Sequence, residues 1–296
     1  MKAQYENRVI SSTLLWMDNT ILTRGEAFTN HQSLFYDAGS QWFGYNAYGA
    51  PYKQFVSDFS VPTSAPTNPQ IPTGVYVSGV FRPKGISGLV DIDYNNGHVY
   101  FDHVIGVGQI SGDYAVKDFN IYLTNKLEQE ILFETKVTLR AKTFTSPSAI
   151  ESNTITYPAI FLKNLGGKNE PWAFGGTDLS QNNLRAIVLA DSQFELDAVC
   201  SIFKDQARTN IPIINSDGYP FNTLGGYRND LWQYNGTSVY NYTGLVANSS
   251  ESLYIRDVFV TQYNVNYIAS LTNVNPNVFS AVIDLDLENV RLPRQK

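Results

Sequence analysis

One cysteine, Cys200, stands in 296 residues, so no disulfide can form within the chain. Cys200 lies in an apolar helical pattern and reads as a buried, inert thiol rather than a nucleophile. Charge is also scarce. Asp, Glu, Lys and Arg make up 16% of the chain, against about 25% in ordinary soluble proteins. No Lys/Arg run breaks the net charge of −6, so the basic field of a sequence-independent nucleic-acid binder is missing, as is a basic cluster for an anionic membrane surface. The three histidines, His31, His98 and His103, include no pair at the i, i+4 spacing of a zinc protease helix. There is no Gly-x-Ser-x-Gly elbow. "GGKN" at 166–169 lacks the Ser/Thr and spacing of a phosphate loop, and "GVGQISG" at 106–112 matches a dinucleotide loop only in glycine count. Nothing among the acids selects a pair for glycoside hydrolysis. No run reaches the roughly 18 apolar residues of a membrane helix. The opening residues carry no apolar signal-peptide core, so folding in a cytosol is expected. These absences leave a non-enzymatic chain with no cofactor as the expectation.

What is abundant is Tyr, Phe, Asn, Thr and Gly, a mix that favours β-structure and polar contact surfaces. The fold expected is α+β, mainly β: an antiparallel, hairpin-rich sheet or sandwich, an N-terminal helix, and one well-capped helix in the second half. Ile10, Leu14, Met17 and Ile21 form one apolar stripe and predict a helix over 5–24, stopped at Gly25. Ser192 and Glu195 make a capping box for a helix over 192–208, with Phe194, Val199, Ile202 and Phe203 as its buried stripe. Short strands are expected around a Ser78-Gly79 turn, over 114–124, at "TYPAIFLK" with its Pro158, and at "RAIVLA". Two more are expected near the end. In the last, Ile283, Leu285 and Leu287 face the core, and Asp284, Asp286 and Glu288 face water. The segments 30–55, 164–178 and 215–250 read as loops, and the proline-rich 61–74 as an extended connector. The chain reads as one structural unit, 1–296. Should it divide, "TSPSAIES" is the best composition break, giving 1–148 and 149–296.

"DIDYNNGHVYFD", 91–102, gathers three acids and a histidine. With Asn96-Gly97 as a two-residue turn, Asp93 would face Tyr100 and Asp91 would face Asp102. Ile92, Tyr94, Val99 and Phe101 would line the core face and the acids a wet one. A calcium ion bridging Asp91, Asp93 and Asp102 is the weak metal candidate. The stronger functional feature is the aromatic content of the loops. Trp42, Phe43, Tyr45, Tyr48, Tyr52, Trp172, Phe174, Tyr227, Trp232 and Tyr234 are the candidate interface residues, since exposed Tyr and Trp are the usual anchors of protein contacts.

The segments "YENRVISSTLLWMDNTILTRGEAFTN", "GAPYKQFVSDFSVP", "GVYVSGVF", "DYNNGHVYFD", "YAVKDFNIYLTN", "ILFETK", "YPAIFLKN", "EPWAFGGTD", "IVLADSQFELDAVCSIFKD" and "NPNVFSAVIDLDLENVR" follow one another along the chain. In that order they resemble an uncharacterised, cyanophage-like family of virion structural proteins from marine tailed bacteriophages. The resemblance is collinear and spans nearly the whole chain. It implies a place in the virion; the neck or tail, as a head–tail connector or tail ring subunit, is the preferred position, with the baseplate and the head surface as alternatives. The partners it implies are copies of the chain and neighbouring neck, tail or capsid proteins, with no direct sequence-specific nucleic acid and no membrane. It brings no catalytic residues. A virion-surface host- or glycan-binding module and a tail-associated hydrolase stand as alternatives.

Overall fold

The computed structural model describes residues 4–291 apart from 43, 65–66, 107, 129, 132–156, 174–175, 221–238 and 264–277. The expected mainly β architecture with few helices is present. Helix α1 (Tyr5–Arg24) starts and stops where its sequence says it should, with Gly25 as C-cap. It is buried far beyond one stripe. Leu14, Met17 and Ile21 are covered, but so are Val9, Leu15, Trp16 and Leu22 from other faces, and the polar Ser12, Thr13, Asp18 and Thr20. A helix covered on several sides is a core element, so each buried polar group needs a partner. Thr13 donates to the Val9 carbonyl at 2.9 Å, and Ser12 accepts the Ile214 amide at 2.9 Å.

The next strands are β1 (Phe28–Leu34), β2 (Tyr36–Trp42) and β3 (Tyr45–Gly49). They replace the loop expected over 30–55. Its Gly and Tyr density masks strands with little alternation of burial. A single helical turn, α2 (Val61–Ser64), interrupts the proline-rich connector. There follow β4 (Gly74–Val77), β5 (Val80–Pro83), β6 (Leu89–Asp93), β7 (His98–Phe101), β8 (Ile110–Lys117) and β9 (Asn120–Leu123). Ser78 and Gly79 both have positive φ, as a type I′ hairpin turn requires. Two four-stranded sheets form, in the orders β1-β8-β4-β5 and β2-β3-β7-β6. They share one aromatic-rich core holding Phe35, Tyr48, Phe55, Ile92, Val99, Phe101 and Tyr114. This is the sandwich part of the expected fold.

The second half supplies β10 (Ala159–Ala173), β11 (Thr177–Ala190), α3 (Gln193–Lys204), β12 (Asn210–Ile213), a short α4 (Tyr242–Ala247), β13 (Glu251–Tyr263) and β14 (Phe279–Arg291). Six strands join in the order β12-β13-β14-β11-β10-β9, with β9 parallel to β10 and the other pairs antiparallel. Helices α1 and α3 cover one face, burying Leu184, Ala186, Val188, Ile255, Ile283, Leu285 and Leu287. The N-terminal helix is thus packed on a sheet drawn almost wholly from the C-terminal half.

Helix α3 has the expected cap: Ser192 Oγ accepts the Glu195 amide at 3.2 Å. It ends at Lys204, short of 208, and its stripe differs from expectation. Leu196, Val199, Cys200 and Phe203 are buried, whereas Phe194 is 85% exposed. Phe194 sits in the first turn, about 200° round the helix from Leu196 and so on the side opposite the face that meets the sheet.

Candidate interaction surface

The acidic hairpin turns out to be structural. β6 and β7 pair Asp93 with His98, Ile92 with Val99 and Asp91 with Tyr100. The connection is therefore a four-residue loop, 94–97, and not the expected two-residue turn. Asp93 causes the change. Its carboxylate accepts the Asn95 and Asn96 amides at 3.1 and 3.0 Å and the Asn96 side chain at 2.7 Å. Gly97 closes the loop at φ +68°, with its amide on the Asp93 carbonyl. The core face holds Ile92, Val99 and Phe101 as expected, but the opposite face is covered as well. Asp91, Asp93 and Tyr100 are all buried.

Asp91 is neutralised by Lys84 at 2.7 Å. Tyr100 bonds to Asp93, and burial followed by the Asp93 and Asp91 charges raises its pKa. Burial lowers the pKa of His98 against the pull of the Asp93 carboxylate, and Lys53 lowers it further. Asp102 lies apart, exposed and paired with His103. The three calcium candidates therefore form no common site, and no cluster of three or more metal-ligating side chains occurs among the described residues.

Two buried polar knots hold the halves of the molecule together. Lys117 Nζ, at the end of β8, meets both Asp18 carboxylate oxygens at 2.6 and 2.7 Å, and Tyr240 donates to the same carboxylate at 2.8 Å. Asp58 accepts from Asn19, from the Ser60 amide and hydroxyl, and from the Tyr242 amide at 2.8–3.0 Å. Burial raises the pKa of Asp58 despite these four bonds. Cys200 is buried, and burial followed by the Asp197 charge pushes its thiol up to about 11. It is a neutral thiol at neutral pH.

The surface that stands out is an arm. β10 and β11 continue well past the core, through the Gly-rich stretch expected as a loop. β10 is buried only over 159–162 and exposed from Leu165 to Ala173. β9 covers its outer edge only as far as Leu162, the last pair being Leu162 with Leu123. On the other side β14 follows β11 outward until Arg291 pairs with Asp178, so the arm is three strands wide. The β10–β11 ladder slips between Asn164 and Gly166 and again between Pro171 and Ala173. The residues left over are Leu165 and Trp172. These are the arm's exposed large apolar side chains on β10, at 47% and 61%. A bulge turns a side chain out of the ladder, and here both bulges turn out an apolar one. Asn164 Oδ1 caps the first bulge by accepting the Gly166 amide at 2.7 Å. Gly167 lets the strands close up, since a Cβ there would fall 2.0 Å from the Gln181 carbonyl.

The arm is braced along its length by the first turn of α1, from Asn164 at its root to Arg291 opposite Asp178 near its end. The Arg291 guanidinium lies 3.8 Å above the Tyr5 ring. Asn289 donates to the Tyr5 hydroxyl at 3.4 Å, and Asn164 to Glu6 at 3.0 Å. Along the sheet face away from α1 and α3, the expected acidic row of β14 is paired rather than merely solvated. Arg185 clamps Asp284 at 2.6 and 2.8 Å, and Arg256 reaches Asp286 and Glu288 at 3.0 and 2.7 Å. The arm is thus held as a stiff extension of the sheet.

Of the ten candidate interface residues, Trp172 is at the surface as expected. Tyr45 is half-buried. Tyr52 is half-buried and stacks on His31 at 4.0 Å. Tyr48 belongs to the core: its hydroxyl donates to the Ile105 carbonyl at 2.9 Å and accepts the Ile105 amide at 2.7 Å. The Trp42 backbone ends β2 opposite Tyr45. The Trp42 side chain and Phe43, Phe174, Tyr227, Trp232 and Tyr234 lie outside the described residues. Leu165, missed in the sequence, had one signal: an isolated apolar residue directly before Gly-Gly, a composition that often marks a bulge. No protein-family model and no curated protein matches the chain. No helix among the described residues is long and apolar enough to cross a membrane.

Proposed function

We propose that this chain is a non-enzymatic structural subunit of a tailed-phage virion, a neck or head–tail connector or a tail ring subunit. It is made in the host cytoplasm and joins other virion proteins and copies of itself. One observation carries the reading: a braced three-stranded arm that presents Leu165 and Trp172 outward from two bulges. Its outer strand has little use within its own fold, because β10 is exposed throughout from Leu165 to Ala173. It suits a subunit that reaches onto a neighbour, where a rigid aromatic anchor contributes most of the contact energy. The collinear resemblance to virion structural proteins supports the same reading and adds the place.

The test is quantitative mass spectrometry of purified particles of the phage that encodes the chain. The expected result is a fixed copy number per particle at a multiple of six. Absence from particles, with the chain accumulating free in infected cells, overturns the reading.

A further inference from the structure

The sheet β1-β8-β4-β5 has a feature on its outer face that its own core does not use. Strand register places Leu34 opposite Ser111, Ser111 opposite Tyr76, and Tyr76 opposite Phe81. Directly opposed residues share a face, so these four side chains form one row across all four strands. Leu34, Tyr76 and Phe81 are exposed, and the Tyr76 and Phe81 rings meet at 5.3 Å. Ser111 is small and stands between two large neighbours. With strands about 4.8 Å apart, the axes flanking Ser111 are roughly 9.6 Å apart. That leaves a notch wide enough to take one aromatic ring edge-on. No member of the row is charged. Arg82, next to Phe81, alternates to the other face and donates to the Ser87 carbonyl at 2.7 Å.

The arm has the matching character. Between Asn164 and Ala173 its charges are Lys168 and Glu170, and these pair with each other. Trp172 is the largest side chain it presents. We propose that Trp172 on the arm of one copy seats in the notch between Leu34 and Tyr76, over Ser111, of a second copy. This rests on the assembly reading above and names its contact surfaces. The partner is a second copy because the chain carries both halves of the match, an uncharged aromatic knob and an uncharged apolar notch. Charge is depleted at the centre of protein interfaces. Knob and notch stand on different sheets and both are exposed, so the contact joins molecules. Repeated head-to-tail from copy to copy, such a contact closes into a ring when the rotation allows.

The experiment is light scattering on the purified full chain, the Trp172→Ser variant, the Phe81→Ser variant and their equimolar mixture, with circular dichroism as the check on folding. Both residues are substantially exposed, so the fold is expected to survive. Should Phe81→Ser disturb the β4–β5 hairpin, Leu34→Ser removes the other wall of the notch and replaces it. The unsubstituted chain is expected to form an assembly larger than a dimer, and each variant alone to fall to the mass of one chain. The mixture should recover a dimer and nothing larger, because the intact notch of one variant can accept the intact arm of the other only once. Assembly of the unsubstituted chain that survives both substitutions overturns this inference and leaves the ring reading standing. A chain that stays monomeric at every concentration overturns both.

Discussion

Replacing Lys117 by Met tests how strongly the two halves of the molecule are tied together. Asp18 is 2% exposed and Lys117 6%. The carboxylate takes two bonds from Lys117 and one from Tyr240. Met keeps most of the aliphatic stem and removes the charge. Asp18 then stays buried with the Tyr240 hydroxyl and without its cation. Breaking one side of a buried pair in this way costs about 3–5 kcal/mol, a large part of the roughly 5–15 kcal/mol that holds a typical native protein together. In urea, with a slope near ~3 kcal/mol/M, the midpoint should fall by about 1–1.7 M. Adding Asp18→Asn should return part of the loss. The amide oxygen still accepts from Tyr240, and no charge is left buried. Equilibrium urea unfolding followed by circular dichroism measures both variants. The reasoning is refuted if Lys117→Met lies within about 1 kcal/mol of the unsubstituted protein, or if the double variant is the less stable of the two.

Asp58 should show a dependence on pH opposite in sign to that of a carboxylate whose pKa folding lowers. Its folded pKa is raised by burial, so its contribution is full below the unfolded carboxylate pKa and is lost as pH rises through the folded value. Asp58→Asn should keep stability within about 1 kcal/mol at neutral pH and flatten that slope, as thermal melts across the acid range would show. His98 has a lowered folded pKa, so the stability it contributes at neutral pH falls away as pH drops below the ordinary imidazole value of about 6.5. His98→Gln should remove that component from the melting temperature between neutral and mildly acid pH. Gly97 sits at φ +68°, and a Cβ there would meet the Tyr52 carbonyl at 2.2 Å. Gly97→Ala should therefore lower stability by more than about 1 kcal/mol in calorimetry.

Where the sequence carried strong local rules, it was readable. The α1 boundaries, the Ser192 cap, the Ser78-Gly79 turn and the inward Ile283, Leu285 and Leu287 follow from capping, turn chemistry and alternation. Where a tertiary partner decided the outcome, it was not. Asn96-Gly97 signals a two-residue turn, but Asp93 offers three local hydrogen bonds to a longer loop and shifts the register. The acids of that hairpin look wet because nothing nearby in sequence reveals Lys84. α1 shows one stripe although several faces are covered, since its polar partners Lys117, Tyr240 and Ile214 lie far along the chain. The arm was the largest miss. A strand exposed on both faces has no alternation to read, and two bulges with Gly-Gly and Pro171 imitate a loop. The exposure of Trp172 was still legible, because an aromatic set among Gly and polar residues stands out whatever the backbone does.

Strand β14 has one more consequence, for the order of events at the ribosome. It lies between β11 and β13 in the six-stranded sheet, yet it is made after both. Until residues 279–291 emerge, β13 has no neighbour on that side, and α1 waits beside an unfinished floor. Long-range pairings of this kind form late and slowly. A chain halted before residue 279 would also lack the strand that carries Arg291 to Tyr5, and with it the brace of the arm. Synthesis that stops short would therefore yield a sheet without an inner strand and an arm without its hold on α1.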